Sequence, residues 1–154
     1  MPYLRTAIIS ALNGLVPDRA RHLLGRLRSR PGRPVVVVGV ALRDGAGRVL
    51  AARRHGAGWE LPGGKVEVGE SERTAGVREC AEELGVQVEL LTRLPGREPC
   101  GEWHVLRVWT GRIVAGTPVP LVHAELRWVG PDELAGLDWL PADQPFVRRL
   151  ADGL

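Results

Sequence analysis

Residues Gly64 to Val86 read GKVEVGESERTAGVRECAEELGV, and the fold of the chain can be built outward from them. Their centre is Arg78-Glu79-Cys80-Ala81-Glu82-Glu83. The three glutamates fall at i, i+3 and i+4. On a helix that spacing stacks them on one face, with neighbouring Cβ atoms roughly 5–6 Å apart. Like charges so close destabilise a bare helix. A divalent cation among the carboxylates removes the penalty, because hard cations such as Mg²⁺ take carboxylate oxygens and keep waters and phosphates as their other ligands. Taken alone, the same three residues also describe a solvated acidic face. Ser71 is a natural N-cap and Gly85 a natural C′ residue, so a helix is expected between them. Ala75, Val77, Cys80, Ala81 and Leu84 are its expected buried side.

What lies around the glutamates favours the metal reading. Position by position the stretch resembles the signature GX5EX7REUXEEXGU of the Nudix hydrolases. Gly64 opens it and Glu70 follows after five residues. Arg78-Glu79 come after seven more, and Glu82-Glu83, Gly85 and Val86 complete it. Cys80 fills a slot that is more often aliphatic, which a buried cysteine suits as a small hydrophobe. The resemblance extends, more weakly, over most of residues 34–150. It implies an α+β protein with the Nudix fold, a mixed β-sheet sandwiched between helices. It also implies hydrolysis of a diphosphate linked to another group, with water attacking phosphorus and Mg²⁺ (or Mn²⁺) assisting. Carried over residue by residue, Glu79, Glu82 and Glu83 are metal ligands, and the Gly63 carbonyl is a further one. Glu70 and Arg78 orient the cluster. The catalytic base is either Glu79 or Glu125, which precedes Trp128 in His123-Ala124-Glu125-Leu126-Arg127-Trp128. Relatives often carry an acid where this chain has Val122.

Before the signature, Pro62-Gly63-Gly64-Lys65 lets the backbone turn and approach a ligand closely. Lys65 directly follows the glycines and is a candidate phosphate contact. Trp59-Glu60-Leu61 reads as a short strand. Arg48 to Arg54 alternates and is expected to pair back, across the turn Asp44–Gly47, on the β-branched run Val35 to Leu42. Arg54 stands where relatives hold a phosphate-binding arginine, and Arg53 points to the opposite face of a regular strand. After the signature, Gln87–Arg93, Trp103–Ile113 and Glu125–Val129 read as strands. Pro131–Leu134 reads as a helical turn and Pro141–Leu150 as a closing helix.

The tail Asp138-Trp139-Leu140-Pro141-Ala142-Asp143 is similar to the end of MutT-type and CTP-type nucleotide pyrophosphohydrolases. An asparagine commonly stands at the Asp143 position in the 8-oxo-dGTP branch. Asp143 is therefore a candidate base reader of the cytidine-favouring kind, since an ionised carboxylate accepts from an amine and cannot donate. It is equally a candidate cap of the closing helix. Trp59, Trp103 and Trp139 are candidates for stacking on a base or for the core.

At 154 residues with 44% hydrophobic content, the chain has enough apolar material for one domain, expected over 34–154, with a helical extension over 1–33. Residues 3–15 and 18–29 read as short helices. The second carries a stripe of Ala20, Leu23, Leu24 and Leu27 amid arginines. Packing on the domain or at a homodimer interface is the favoured reading over contact with a membrane surface or nucleic acid. Net charge is +3. Cys80 and Cys100 form neither a metal motif nor a disulfide framework, so a reducing cytoplasm is expected. No apolar run reaches about 18 residues, so no transmembrane helix is expected. The leading expectation is a (deoxy)nucleoside triphosphate pyrophosphohydrolase acting on cytidine-type or oxidised purine nucleotides. Its products are a nucleoside monophosphate and pyrophosphate. Two other readings compete. One is a Nudix hydrolase of another nucleoside diphosphate derivative: ADP-ribose, a nucleotide sugar or a dinucleoside polyphosphate. The other is a non-catalytic nucleotide-binding regulatory module, although such a module has no need of an intact glutamate set.

Overall fold

The β-branched run after Pro34 forms strand β1 (Val35–Leu42), whose last five residues are buried. The computed structural model describes residues 32–153, and the helices expected at 3–15 and 18–29 lie outside them. Strand β1 pairs in parallel with β7 (His104–Ala115) and antiparallel with the short β4 (Gly63–Lys65). Both β5 (Gln87–Arg93) and the two-residue β6 (Glu98–Pro99) pair antiparallel with β7. The result is a mixed five-stranded sheet. A second, antiparallel sheet has the order β3-β2-β8, from β3 (Trp59–Glu60), β2 (Val49–Arg53) and β8 (Glu125–Val129).

Alternate residues of β1 and β2 serve two cores, which is why both strands read as unbroken apolar runs. Val40, Leu42 and Leu50 pack with Cys80 and Leu84 of helix α1 (Glu72–Leu84). Ala41, Val49 and Ala51 pack with Leu134 of helix α2 (Pro131–Leu134) and with Phe146, Val147 and Leu150 of helix α3 (Gln144–Ala151). Helices thus cover both sides of the sheets, as expected of the fold. No helix among the described residues is long and apolar enough to cross a membrane.

Three local expectations are corrected. The Arg48–Arg54 strand does not form a hairpin ladder on β1. One bridge, Arg43 to Val49, joins them, and β2 then diverges to pair with β3 and β8. β3 and β8 take the two edges of β2, which satisfies its backbone while its faces stay buried. Val77 and Ala81 of α1 are exposed, while Gly76 is buried with Ala75, Cys80 and Leu84. The buried stripe is narrow because the face beside it carries the glutamates. The closing helix begins at Gln144, since residues 141–143 form a turn in which the Asp143 N–H donates to Leu140 O at 2.9 Å. The caps of α1 stand as read. Ser71 Oγ accepts from Thr74 N–H at 3.1 Å, and Gly85 is left-handed with its N–H on Ala81 O.

Candidate active site

Two glycines let α1 approach β4 side chain first. Gly63 has φ 153° and lies against the Val38 carbonyl, where any Cβ would collide. A Cβ on Gly64 would overlap the carboxyl group of Glu79. Glu79 therefore occupies the space of the missing side chain. One turn along, Glu83 Oε2 accepts the Gly63 N–H at 3.0 Å. The i, i+4 pair is thus drawn inward against the glycine turn. Glu82 is different: its side chain is 44% exposed and reaches toward Arg78 Nη1 at 3.5 Å.

Arg78 anchors the cluster. Its Nε and Nη2 grip both oxygens of Glu70 at 2.9 and 3.0 Å. Nη1 donates to Glu79 Oε1 at 2.8 Å, and Nη2 also donates to Lys65 O at 3.0 Å. A planar guanidinium is suited to this, because its fork matches a carboxylate bidentately. Arg78 holds the Glu70 carboxyl below the usual range. Burial pushes Glu79 up despite Arg78, and the charge of Glu82 adds to the rise. Burial pushes Glu83 to about 7, with Glu79 and Glu60 adding and the Gly63 N–H opposing.

Among the described residues, no three His, Cys, Asp or Glu side chains converge as a ready-made ligand set. The donor chemistry nevertheless fits a hard dication. Glu79 and Glu83 are drawn in from water, burial raises the pKa of both, and the charge of Glu79 raises Glu83 further. Glu82 stands at the solvent edge of the same face.

A second cluster adjoins the first. Residues 138–140 run beside β3: Trp59 N–H donates to Asp138 O at 2.8 Å and Leu140 N–H to Trp59 O at 2.7 Å. That pairing carries Asp143 to the loop before Gly63, where its Oδ1 accepts the Leu61 N–H at 2.9 Å. Asp143 is only 5% exposed, and burial pushes its carboxyl to about 7. It sits at the N-cap position of α3 but makes no side-chain cap bond there. Glu60, between the core residues Trp59 and Leu61, turns to the opposite side. It accepts Arg54 Nε at 2.8 Å and lies 3.1 Å from Nε2 of the buried His123.

The remaining candidates are spread more widely. Lys65 is exposed. Glu125 faces Arg53 in the β2–β8 register and pairs with it at 3.5 Å, both half exposed. Trp59 and Trp139 belong to the core, whereas Trp103 is 55% exposed. Two residues of the site were not singled out in the sequence, Glu60 and His123. A charged residue alternating with two apolar ones in Trp59-Glu60-Leu61 was the available signal for the first. His123 had none beyond its closeness to Glu125.

The family model described as NUDIX domain matches residues 33–150. A Mycobacterium tuberculosis protein named "Putative 8-oxo-dGTP diphosphatase 2" is 42% identical over 96 residues, covering 60% of this chain and 68% of the relative. The CTP pyrophosphohydrolase of Escherichia coli K12 is 37% identical over 120 residues, covering 73% and 87%. The solution structure of the E. coli ORF135 protein superposes with a TM-score of 0.65 at 30% identity, over 75% of this chain and 86% of that one.

Proposed function

Because the chain belongs to the Nudix hydrolase family, we propose that it is a Mg²⁺-dependent pyrophosphohydrolase that cleaves a (deoxy)nucleoside triphosphate to a nucleoside monophosphate and pyrophosphate. The observation that carries this reading is the desolvated pair Glu79 and Glu83 at the glycine turn, with the cationic Arg54 and the buried Asp143 on adjoining elements. Glu79 and Glu83, with Glu82 and the Gly63 carbonyl, are the residues that would hold the cation; Mn²⁺ would fit the same oxygen donors. When bound, the metal neutralises phosphate charge and lowers the pKa of a water.

The chain's own residues do the rest. Arg78 donates four hydrogen bonds, two to Glu70, one to Lys65 O and one to Glu79, and so fixes the Glu79 carboxylate. Arg54 and Lys65 take phosphate oxygens. Asp143 offers the oxygen not used by Leu61 to the base. Glu79 is the better supported proton acceptor, being held at the turn with a raised pKa. Glu125 is engaged with Arg53.

Cytidine-type and oxidised guanine triphosphates are the two base classes proposed, and the names of the two relatives support both. Incubation with Mg²⁺ and a nucleotide panel, with products separated chromatographically, tests the reading. The expected products are the monophosphate and pyrophosphate. Turnover confined to ADP-ribose, nucleotide sugars or dinucleoside polyphosphates, or no turnover at all, refutes it.

A further inference from the structure

Arg54 is a long side chain, 59% exposed, in the field of three carboxylates: Glu60, Asp143 and Glu83. Left to itself, such a cation samples all three and presents no fixed face to a ligand. In this structure it is held by one of them. Its Nε lies 2.8 Å from both Glu60 oxygens. Among the described residues, its two Nη groups have no hydrogen-bond partner.

Glu60 is itself fixed from behind. Its carboxylate lies between the guanidinium and His123 Nε2, which is 3.1 Å from the Oε1 that Arg54 also uses. An ionised carboxylate only accepts, so His123 donates Nε2–H. The imidazole is 7% exposed, and its Nδ1 is buried with no hydrogen-bond partner. Among the described residues, the Glu60 contact is thus the one hydrogen bond of a buried ring. Such a ring gives Glu60 a rigid backstop.

We infer that Glu60 and His123 are positioning residues that aim the Nη groups of Arg54 at the polyphosphate of the substrate. The inference rests on the nucleoside triphosphate reading above and names a chain of residues behind its phosphate contact. Glu60 carries a negative charge near an anionic ligand. Plain electrostatics therefore predicts that neutralising it strengthens phosphate binding. Positioning predicts the opposite, because an unheld Arg54 falls back on Asp143 and Glu83.

The test measures Mg²⁺-dependent kinetics on CTP, and calorimetric affinity for inorganic tripolyphosphate with Mg²⁺ present, in wild type, Arg54→Ala, Glu60→Gln, His123→Ala, His123→Gln and Arg54→Ala/Glu60→Gln. Glu60→Gln and His123→Ala are expected to weaken tripolyphosphate by about tenfold and to raise KM while kcat changes far less. His123→Gln keeps a donor near the Nε2 position and is expected to recover most of the loss. In the Arg54→Ala background, Glu60→Gln is expected to add nothing. Tighter tripolyphosphate binding by Glu60→Gln, or an equal loss with and without Arg54, overturns the inference. Those outcomes leave the proposed reaction standing if wild type still releases pyrophosphate. Failure of wild type to hydrolyse any nucleoside triphosphate overturns the reading itself.

Discussion

Replacing Asp143 by Asn tests a deeply buried carboxyl of the candidate site. Asp143 is nearly sealed from solvent, with one oxygen on the Leu61 N–H, and burial lifts it from an ordinary 3.8 to about 7. The unfolded chain releases this proton near the ordinary value. The folded chain keeps it until about 7. Between those points the native state binds more protons, so folding stability falls as pH rises, and the full penalty is present above about 7. The difference corresponds to a ceiling of ~4 kcal/mol, and relaxation of the buried site brings the expected effect to ~2–4 kcal/mol. An asparagine keeps the acceptor for Leu61 and has no charge to desolvate. Urea unfolding of the metal-free protein, from about pH 4 to about pH 8.5, reads the effect as a change in midpoint at constant slope. Wild type and Asp143→Asn should converge at the acid end, with the variant more stable at the alkaline end. A difference that stays flat across this window would falsify the burial argument. The same variant should shift the ratio of kcat/KM from cytidine toward 8-oxoguanine triphosphates by about 1–3 kcal/mol, the magnitude of one unpaired buried group. If the ratio does not move while turnover is retained, the Leu61 contact is the whole role of Asp143.

Other perturbations address the rest of the site. Glu82→Gln and Glu83→Gln should each lower kcat by about a hundredfold or more, without loss of folding, if these side chains hold a cation; near-normal turnover in either argues against the ligand assignment. Gly64→Ala puts a methyl group into the Glu79 carboxyl. It should destabilise the fold by ~1–3 kcal/mol and depress turnover, and wild-type behaviour in both assays would remove the reason for that glycine. Deleting residues 1–33 should leave hydrolysis unchanged, because every candidate residue lies after Pro34. A folded, monodisperse but inactive truncation would assign the extension to the site.

The helix bearing the glutamates, its caps at Ser71 and Gly85, and the glycine turn before it were all legible in the sequence. Each depends on interactions within a few residues: a cap bond spans three, and a carboxylate stripe repeats every three or four. Local rules also gave β1, β5 and β8, where apolar character is continuous or alternates. They did not reveal that β2 leaves β1 after one bridge, because which strand takes each backbone edge is decided by long-range pairing. Nor did they reveal that Val77 and Ala81 face outward, since the orientation of α1 is decided by what its glutamates meet at Gly63 and Gly64. Tertiary structure alone brought Glu60 to His123 across 63 residues and Leu61 to Asp143 across 82. Those approaches follow from β8 pairing with β2 and from residues 138–140 running beside β3. Hydrogen bonding between distant backbone segments leaves no periodic mark in the sequence. The residues aligned by it, a glutamate between two apolar neighbours and a histidine in a loop, looked ordinary until the strands brought them together.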